Sequence, residues 1–335
     1  MQKPSHLLLA LLAVVGSSAA MAQSSVTLYG RVNTSVEHQK TGDVSVNKMV
    51  NNSSRFGFKG VEDLGGGLKA GFALESGFNS DDGTGSGWTH PTTGMSFARQ
   101  SEINLSGNFG MVRLGNFIPE SYYATADYVS MHNHETGTSS DALYYDPVWF
   151  GGLSTKNKVG YRTPNMGGLT VDASASLHEK DPLVGPRKNG YDLAANYAMG
   201  PVALGAGYSQ VGGNKQFALR GLYTVGPFLV GGYFQRNDEV LQGTRNNFRL
   251  SGAYMMGASE FHLNAGRANS WSKVNDSAAN QYTIAYNYNL SKRTKVYTYY
   301  TKVDNKVGAS YGPRMENSRP GDDFSSFAVG VRHNF

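Results

Sequence analysis

Acidic and aromatic side chains are concentrated in one stretch of this 335-residue chain, residues 117–155. The cluster comprises Glu120, Tyr122, Tyr123, Asp127, Tyr128, Asp141, Tyr144, Tyr145, Asp146 and Trp149. Its carboxylates can act on an ion or a dipolar solute through their charge, and its tyrosines can form a binding ladder. The stretch lacks the two-residue alternation seen elsewhere in the chain. A loop of this length inside a compact domain is usually functional.

The spacing of these residues does not match an enzyme motif. The chain has no Cys, and it lacks a Gly-x-Ser-x-Gly elbow, a P-loop and a His-Glu-x-x-His helix. His132-Asn-His134-Glu135 is a weak basis for a metal site, and Asp81-Asp-Gly-Thr-Gly lacks the acidic spacing of a calcium loop. A barrel hydrolase would need Ser, His and a polar orienting residue on its outer face, where strand parity places no such trio. We therefore predict no enzymatic activity, no metal and no cofactor.

The elements that must position the cluster are strands. Apolar and polar residues alternate in runs of about ten, as in the segment from Val26 to Val36. Sixteen strands are predicted, at 25–37, 53–62, 67–78, 96–107, 110–117, 156–163, 168–178, 190–198, 201–211, 214–224, 227–237, 246–255, 259–270, 279–290, 294–303 and 325–335. One face of each is apolar and the other carries Arg, Lys, Asn, Gln and Glu. A dry sandwich core would leave those charges unpaired, whereas a closed barrel with water inside solvates them.

The beginning of the chain indicates export. Residues 1–22 combine Lys3 and His6, an apolar run from Leu7 to Val15 and an Ala-Met-Ala cleavage site, which predicts a signal peptide. The mature domain is then residues 23–335. No later run of 18 apolar residues exists, so a membrane can be crossed only by a closed barrel.

The connections between the predicted strands alternate in length. The short ones are 62–66, 107–110, 163–168, 198–201, 224–227, 255–259 and 290–294. The long ones include 38–52, 79–95, 118–155, 179–189, 271–278 and 304–324. Short turns on one side and long loops on the other are typical of outer-membrane barrels. An even strand count places both termini on the short-turn side, which in such a barrel is periplasmic.

Composition agrees with a water-filled interior. Hydrophobic residues make up only 39% of the chain, which is low for a soluble core of this size. The net charge of +5 becomes +4 once Lys3 is removed with the leader. Basic residues form no run, so the charge does not indicate nucleic acid as a partner.

Several motifs carry a family resemblance over the whole mature chain. They begin at Ser25 (Ser-Val-Thr-Leu-Tyr-Gly), Ser54 (Ser-Arg-Phe-Gly-Phe-Lys-Gly), Glu62 (Glu-Asp-Leu-Gly-Gly-Gly), Leu105 (Leu-Ser-Gly-Asn-Phe-Gly-Met-Val-Arg-Leu-Gly), Tyr161 (Tyr-Arg-Thr-Pro-Asn), Leu290 (Leu-Ser-Lys-Arg-Thr) and Gly330 (Gly-Val-Arg-His-Asn-Phe). With these motifs the chain resembles a Gram-negative general-diffusion porin of the betaproteobacterial, 16-stranded type.

The resemblance implies a homotrimer of barrels in the outer membrane, each with its third long loop folded into the pore. It also implies contact with outer-membrane lipid and lipopolysaccharide, and insertion by the barrel-assembly machinery with Phe335 as the C-terminal signal. The chain departs from the family before the third loop, where Arg113-Leu-Gly-Asn-Phe117 replaces the frequent Arg-Leu-Gly-Arg-Gln. Ser154 and Thr155 stand where a basic residue is common. These departures leave the fold alone and affect selectivity.

Residue types and strand parity predict a constriction with opposite charges on its two sides. The acidic side is Glu120, Asp127, Asp141 and Asp146 on the loop. The basic side is Arg31, Arg55 and Lys158, which point inward by parity, and Arg99, which is included through the resemblance. Arg113, Arg220, Arg249 and Arg332 also have inward parity, and we expect most of them to lie nearer a mouth or away from the loop.

A passive channel for small hydrophilic solutes and ions is the predicted function. Inward basic residues outnumber inward acidic ones, which favours a weak preference for anions. The alternatives are a solute-specific channel, with the loop tyrosines as its binding ladder, and a surface adhesin or phage receptor that uses the loops at 79–95 and 304–324.

Overall fold

The structure, a computed structural model, describes residues 25–86, 96–127, 137–150, 156–178 and 188–335. The side chains of residues 86, 127, 149 and 150 are not among those described. The predicted leader, Tyr128 and the His132–Glu135 cluster lie outside these ranges. Within them, no helix has the length and apolar character of a membrane span.

Almost every element is an antiparallel strand. The strands are β1 (Ser25–Thr41), β2 (Val44–Asn51), β3 (Arg55–Gly65), β4 (Leu68–Phe78), β5 (Gly85–Ser86), β6 (Gln100–Gly107), β7 (Gly110–Asn116), β8 (Lys158–Arg162), β9 (Leu169–Ser176), β10 (Gly190–Met199), β11 (Val202–Val211), β12 (Asn214–Val225), β13 (Phe228–Glu239), β14 (Gly243–Met256), β15 (Ser259–Ala268), β16 (Ala279–Asn289), β17 (Thr294–Asn305) and β18 (Phe324–Asn334). The helical turns are Glu120–Tyr122, Tyr123–Asp127, Gly137–Ser139 and Pro147–Phe150.

The sheet closes on itself because the first strand pairs with the last. β1 pairs with β18 from Arg31↔Asn334 to Thr41↔Phe324, and its other edge pairs with β2 and β3. β2 and β3 lie end to end, separated by Ser53 with a φ of 58°. Counting them as one and leaving out the two-residue β5, the ring has 18 − 2 = 16 strands. The predicted 16-stranded antiparallel barrel is confirmed.

The prediction of a long loop at 38–52 was wrong. β1 continues to Thr41, and Gly42 and Asp43 form a two-residue turn into β2. Gly42 has a φ of 56°, the left-handed conformation that such tight hairpins need. Residues 44–51 are polar at several positions, so the sequence pattern missed them, but each has a ladder partner on β1.

The barrel has an apolar outer face and a polar inner face. Large apolar side chains remain exposed in strand after strand, such as Val26 at 67% and Leu250 at 71%. The alternate residues are buried and polar, such as Glu37, Gln235 and Gln281. This arrangement of apolar residues outside and polar residues inside is the reverse of that in a soluble protein. It suits a lipid environment, since transfer of a Leu or Phe side chain out of water gains about 1.5–3 kcal/mol.

The C-terminal residue completes the closure seam. The amide nitrogens of Gly30 and Phe335 each donate to the other's carbonyl oxygen at 3.0 Å. A Cβ atom on Gly30 would collide with the Phe335 ring, so the glycine leaves room for the aromatic side chain. The role of Phe335 as an assembly signal stays a prediction.

Candidate functional site

The predicted loop leaves β7 at Phe117 and returns at β8, and its first helical turns lie against β10 and β11. Gly205 and Gly207 of β11 allow this approach: a Cβ atom on Gly205 would collide with the carbonyl oxygen of Ala124, and one on Gly207 would lie 2.8 Å from that of Ser121. Small residues on the strand therefore fix where the loop backbone can rest. We call the described residues 117–127 and 137–150 the constriction segment, after the role predicted for the stretch 117–155.

A buried serine–carboxylate network anchors the beginning of the constriction segment. Asp192 of β10 accepts hydrogen bonds from the Ser121 hydroxyl and, at 3.1 Å, from the Ser121 amide. Asp146, which is fully buried, accepts from the Ser209 hydroxyl at 2.9 Å and from the Val148 amide at 2.8 Å. Asp146 therefore organises the segment and is not open to solvent.

Glu120 belongs to a chain of alternating charges on the wall. Its carboxylate contacts Arg113 at 2.5 Å and Arg162 at 3.0 Å. Arg113 also pairs with Glu102 at 2.6 Å, and Arg162 pairs with Asp172 at 2.6 Å. Three carboxylates and two guanidinium groups alternate here, so the cluster has a formal net charge of −1.

Asp141 forms the most deeply buried ion pair of the segment. One oxygen lies 2.5 Å from Nη2 of Arg249, whose side chain has no exposed area, and the other accepts from the Tyr233 hydroxyl. The same carboxylate caps the following turn by accepting from the amides of Leu143 at 2.9 Å and Tyr144 at 3.2 Å. One aspartate thus fixes the local backbone and joins it to the wall.

A second carboxylate, this time on the wall, holds the segment at residues 137–138. Glu37 of β1 accepts from the hydroxyls of Thr138 at 2.7 Å and Tyr299 at 2.5 Å. The Thr138 amide donates to Tyr299 at 3.0 Å. Gly137 has a φ of 58° and sits where a Cβ atom would collide with the Tyr299 hydroxyl. The contacts of the segment therefore reach from β10 to β1.

Two tyrosines of the segment remain neutral at ordinary pH. Burial raises the pKa of the Tyr144 phenol well above its usual value. Burial, with Glu239 and Asp146 nearby, raises the pKa of Tyr145 to about 12. The charge of the described part of the segment therefore comes from its carboxylates.

Three predicted basic residues lie on or beside the strands next to the closure seam. Arg31 donates to Asn334 at 3.0 Å, and Arg55 lies 3.6 Å from Glu75. Arg99 precedes β6 and donates to Glu75 at 2.7 Å, so its position in a connection lets it turn inward against strand parity.

Lys158 has a different environment from the other three. It is 1% exposed, and its ammonium lies 5.1 Å from the centroid of the Phe117 ring. Among the described residues the ammonium has no hydrogen-bond partner. Lys158 is therefore covered by the start of the constriction segment.

Sequence reasoning missed the direct partners of the acidic residues. We expected most of the four additional inward arginines to lie nearer a mouth or away from the loop, but Arg113 contacts Glu120 and Arg249 contacts Asp141. Arg162 was not singled out. All three arginines have inward parity, since Arg162 lies four residues after Lys158 on β8. Parity does not say which strands a long loop crosses, because that depends on the tertiary structure. The side chain of Asp127 lies outside the description.

Polar cavities flank the segment. One of about 360 Å³ is lined by Glu120, Arg162, Asp172 and Arg220 among others, and another of about 410 Å³ by Asn51, Asn52, Thr138 and Asp141 among others.

Comparison with known proteins gives consistent matches. A family model described as Gram-negative porin matches residues 8–308. Outer membrane porin protein 32 of Delftia acidovorans is 32% identical over 372 aligned positions, covering 98% of this chain and 99% of that protein. An outer membrane porin protein of Bordetella pertussis is 28% identical, covering 95% and 96%. The solved structure of an anion-selective porin from Comamonas acidovorans superposes with a TM-score of 0.77 at 28% identity, covering 93% of this chain and all of that one.

Proposed function

This chain belongs to the Gram-negative porin family, and from that premise we propose that its constriction segment lies inside the lumen and sets the size limit of a passive outer-membrane channel. One observation carries the proposal. The segment hydrogen-bonds to the buried, polar faces of β10, β11, β14, β16 and β1, and these faces point into the closed ring. A ring of this many strands otherwise encloses a wide aqueous passage.

Charge placement supports a weak preference for anions. The described carboxylates of the segment have wall partners, whereas basic residues continue along the seam strands. Arg31 is directly opposite Arg55 in the β1–β3 ladder, and Lys295 is opposite Arg332 in the β17–β18 ladder. Glu75 and Glu260 offset part of this charge. The similar Comamonas acidovorans porin is itself named as anion-selective.

The experiment is a planar bilayer recording with the mature chain. Discrete conductance steps that grow with salt concentration are expected, together with a reversal potential of the sign given by anions across a KCl gradient. A preference for cations would reject the charge argument, and the absence of steps would reject the channel.

The oligomer and its surroundings follow from the family premise. We propose a homotrimer with periplasmic termini, in contact with outer-membrane lipid and lipopolysaccharide, that is inserted by the barrel-assembly machinery after residues 1–22 are removed. The outward apolar groove lined by Val26, Val61, Phe72 and Ile103 supports a subunit contact, because small residues at Gly60, Ala70 and Gly71 leave it concave. We propose no enzymatic activity and no cofactor.

A further inference from the structure

An aromatic cavity of about 280 Å³ lies where four connections on the long-loop side converge. Its principal lining residues are Tyr144 and Tyr145 of the constriction segment, Gln242, Arg245, Trp271 and Tyr311. The rings of Tyr145 and Trp271 meet edge to face, with their centroids 5.7 Å apart. These rings are neutral, so the charge pairing that anchors the constriction segment does not account for the aromatic lining of the cavity.

Side chains outside this cavity hydrogen-bond to the backbone of the residues that line it. Gln235, which is fully buried, accepts from the Tyr145 amide at 3.2 Å and donates to its carbonyl at 2.7 Å. Asn305 makes the same double contact with the backbone of Tyr311, both bonds being 3.0 Å long. The Ser277 hydroxyl accepts from the Trp271 amide at 2.9 Å. A site whose walls are already fixed loses little entropy when a ligand binds.

Arg245 supplies the charge of the cavity. It is 4% exposed, and its guanidinium lies 4.5 Å from the Trp271 ring centroid and 5.3 Å from that of Tyr311. It donates to Asn237 at 3.0 Å, to the Leu143 carbonyl at 2.6 Å and to the Tyr311 hydroxyl. A guanidinium has five N–H groups, so two remain beyond these three bonds.

No carboxylate of the described residues pairs directly with Arg245. The nearby Glu239, which acts on Tyr145, accepts instead from the amides of Leu241 at 2.9 Å and Gln242 at 2.6 Å. Among the described residues Arg245 forms no ion pair within 4.0 Å, and none of the lining residues is Asp or Glu. A buried cation without a direct ion-pair partner favours an anionic ligand, and a carboxylate fits the planar fork of arginine.

We propose that this cavity binds a planar organic monocarboxylate of about the size of benzoate, with the carboxylate on Arg245 and the ring against Tyr145 and Trp271. The aromatic walls give the ring a face to pack on, which a small inorganic anion does not use. A neutral sugar satisfies the rings but leaves the guanidinium without its counter-charge. The site adds a binding step at the mouth of the proposed channel.

Equilibrium dialysis of the detergent-solubilised protein against benzoate tests the proposal without any need for conduction. Its failure is thereby distinguishable from failure of the channel. Four probes separate the two recognition elements: benzoate, cyclohexanecarboxylate, benzyl alcohol and acetate. Saturable binding of benzoate is expected, with at least about tenfold weaker binding of benzyl alcohol and acetate, because each lacks one contact of the pair. The affinity of cyclohexanecarboxylate should lie between that of benzoate and that of acetate.

Matched variants assign the binding to this cavity. Arg245→Gln should weaken benzoate binding at least about tenfold, whereas Arg267→Gln, on the outward face of the neighbouring strand, should leave it unchanged. If Arg245→Gln does not fold, Trp271→Leu and Tyr145→Leu provide the same test through the ring contacts. Equal binding of benzoate and acetate, or benzoate binding that survives both Arg245→Gln and Trp271→Leu, would overturn the proposal.

Discussion

The two sides of the barrel interior use their charges differently. On the side of β7 to β14, the acidic residues of the constriction segment pair directly with Arg113, Arg162 and Arg249. On the seam side, from β17 to β3, Arg31 and Arg55 are partly exposed and lie directly opposite each other in the β1–β3 ladder. The first set holds the segment in place, whereas in the second set Arg31 donates to Asn334 and Arg55 pairs with Glu75 on the wall.

This contrast bears on how the carboxylates of the constriction segment act. The sequence suggests a field between the loop carboxylates and the opposite arginines. The described carboxylates are instead largely neutralised by their own wall, so their main effect is on position. We expect the residual field to arise at the seam.

The largest expected effect comes from a substitution among the contacts that anchor the constriction segment. Asp141→Asn leaves Arg249, whose side chain has no exposed area, without its ion-pair partner at 2.5 Å. Loss of one partner of a buried pair costs about 3–5 kcal/mol. We expect a lower denaturant midpoint in detergent and a larger, noisier single-channel conductance as the segment loosens. Arg249→Gln combined with Asp141→Asn should recover part of the stability, and unchanged conductance in the single variant would contradict the anchoring role.

A smaller effect is expected where the segment approaches β11. Gly205→Ala adds a methyl group that collides with the carbonyl oxygen of Ala124, and such overpacking costs about 1–3 kcal/mol. The displaced backbone should alter conductance and lower the thermal midpoint. Gly252→Ala is the control, because nothing lies within 4 Å of its added Cβ atom. Equal behaviour of the two variants would show that the close approach does not matter.

The smallest effect on stability, and the sharpest on selectivity, is expected at the seam. Arg31→Gln together with Arg55→Gln removes two partly exposed charges, so the denaturant midpoint should stay nearly constant. Two unit charges about 10 Å apart interact by roughly 0.4–1.7 kcal/mol for effective dielectrics between 80 and 20. The anion-to-cation permeability ratio, read from reversal potentials, should therefore fall by a factor of about two or more at low salt. A ratio that stays constant would place the selective charge elsewhere.

Much of the fold is predictable because a strand needs only local information. Alternation over about ten residues predicted sixteen strands, their inward and outward faces and the short turns. The error at 38–52 has a local cause, since the polar residues of β2 carry no apolar rhythm and are held in the ladder by their pairing with β1. Arg99 shows the opposite case, because its parity pointed outward while its place before β6 turned it to Glu75.

The sequence by itself determined which side chains face lipid and which face water, because successive residues of a strand point to opposite faces. It also marked the 117–155 stretch as different. Only the tertiary structure decided what that stretch touches: Ser121 meets Asp192, Asp141 meets Arg249, and Thr138 meets Glu37, at separations of 71, 108 and 101 residues. Closure of the ring and the path of the segment across it create these pairs, and neither is encoded in the spacing of neighbouring residues.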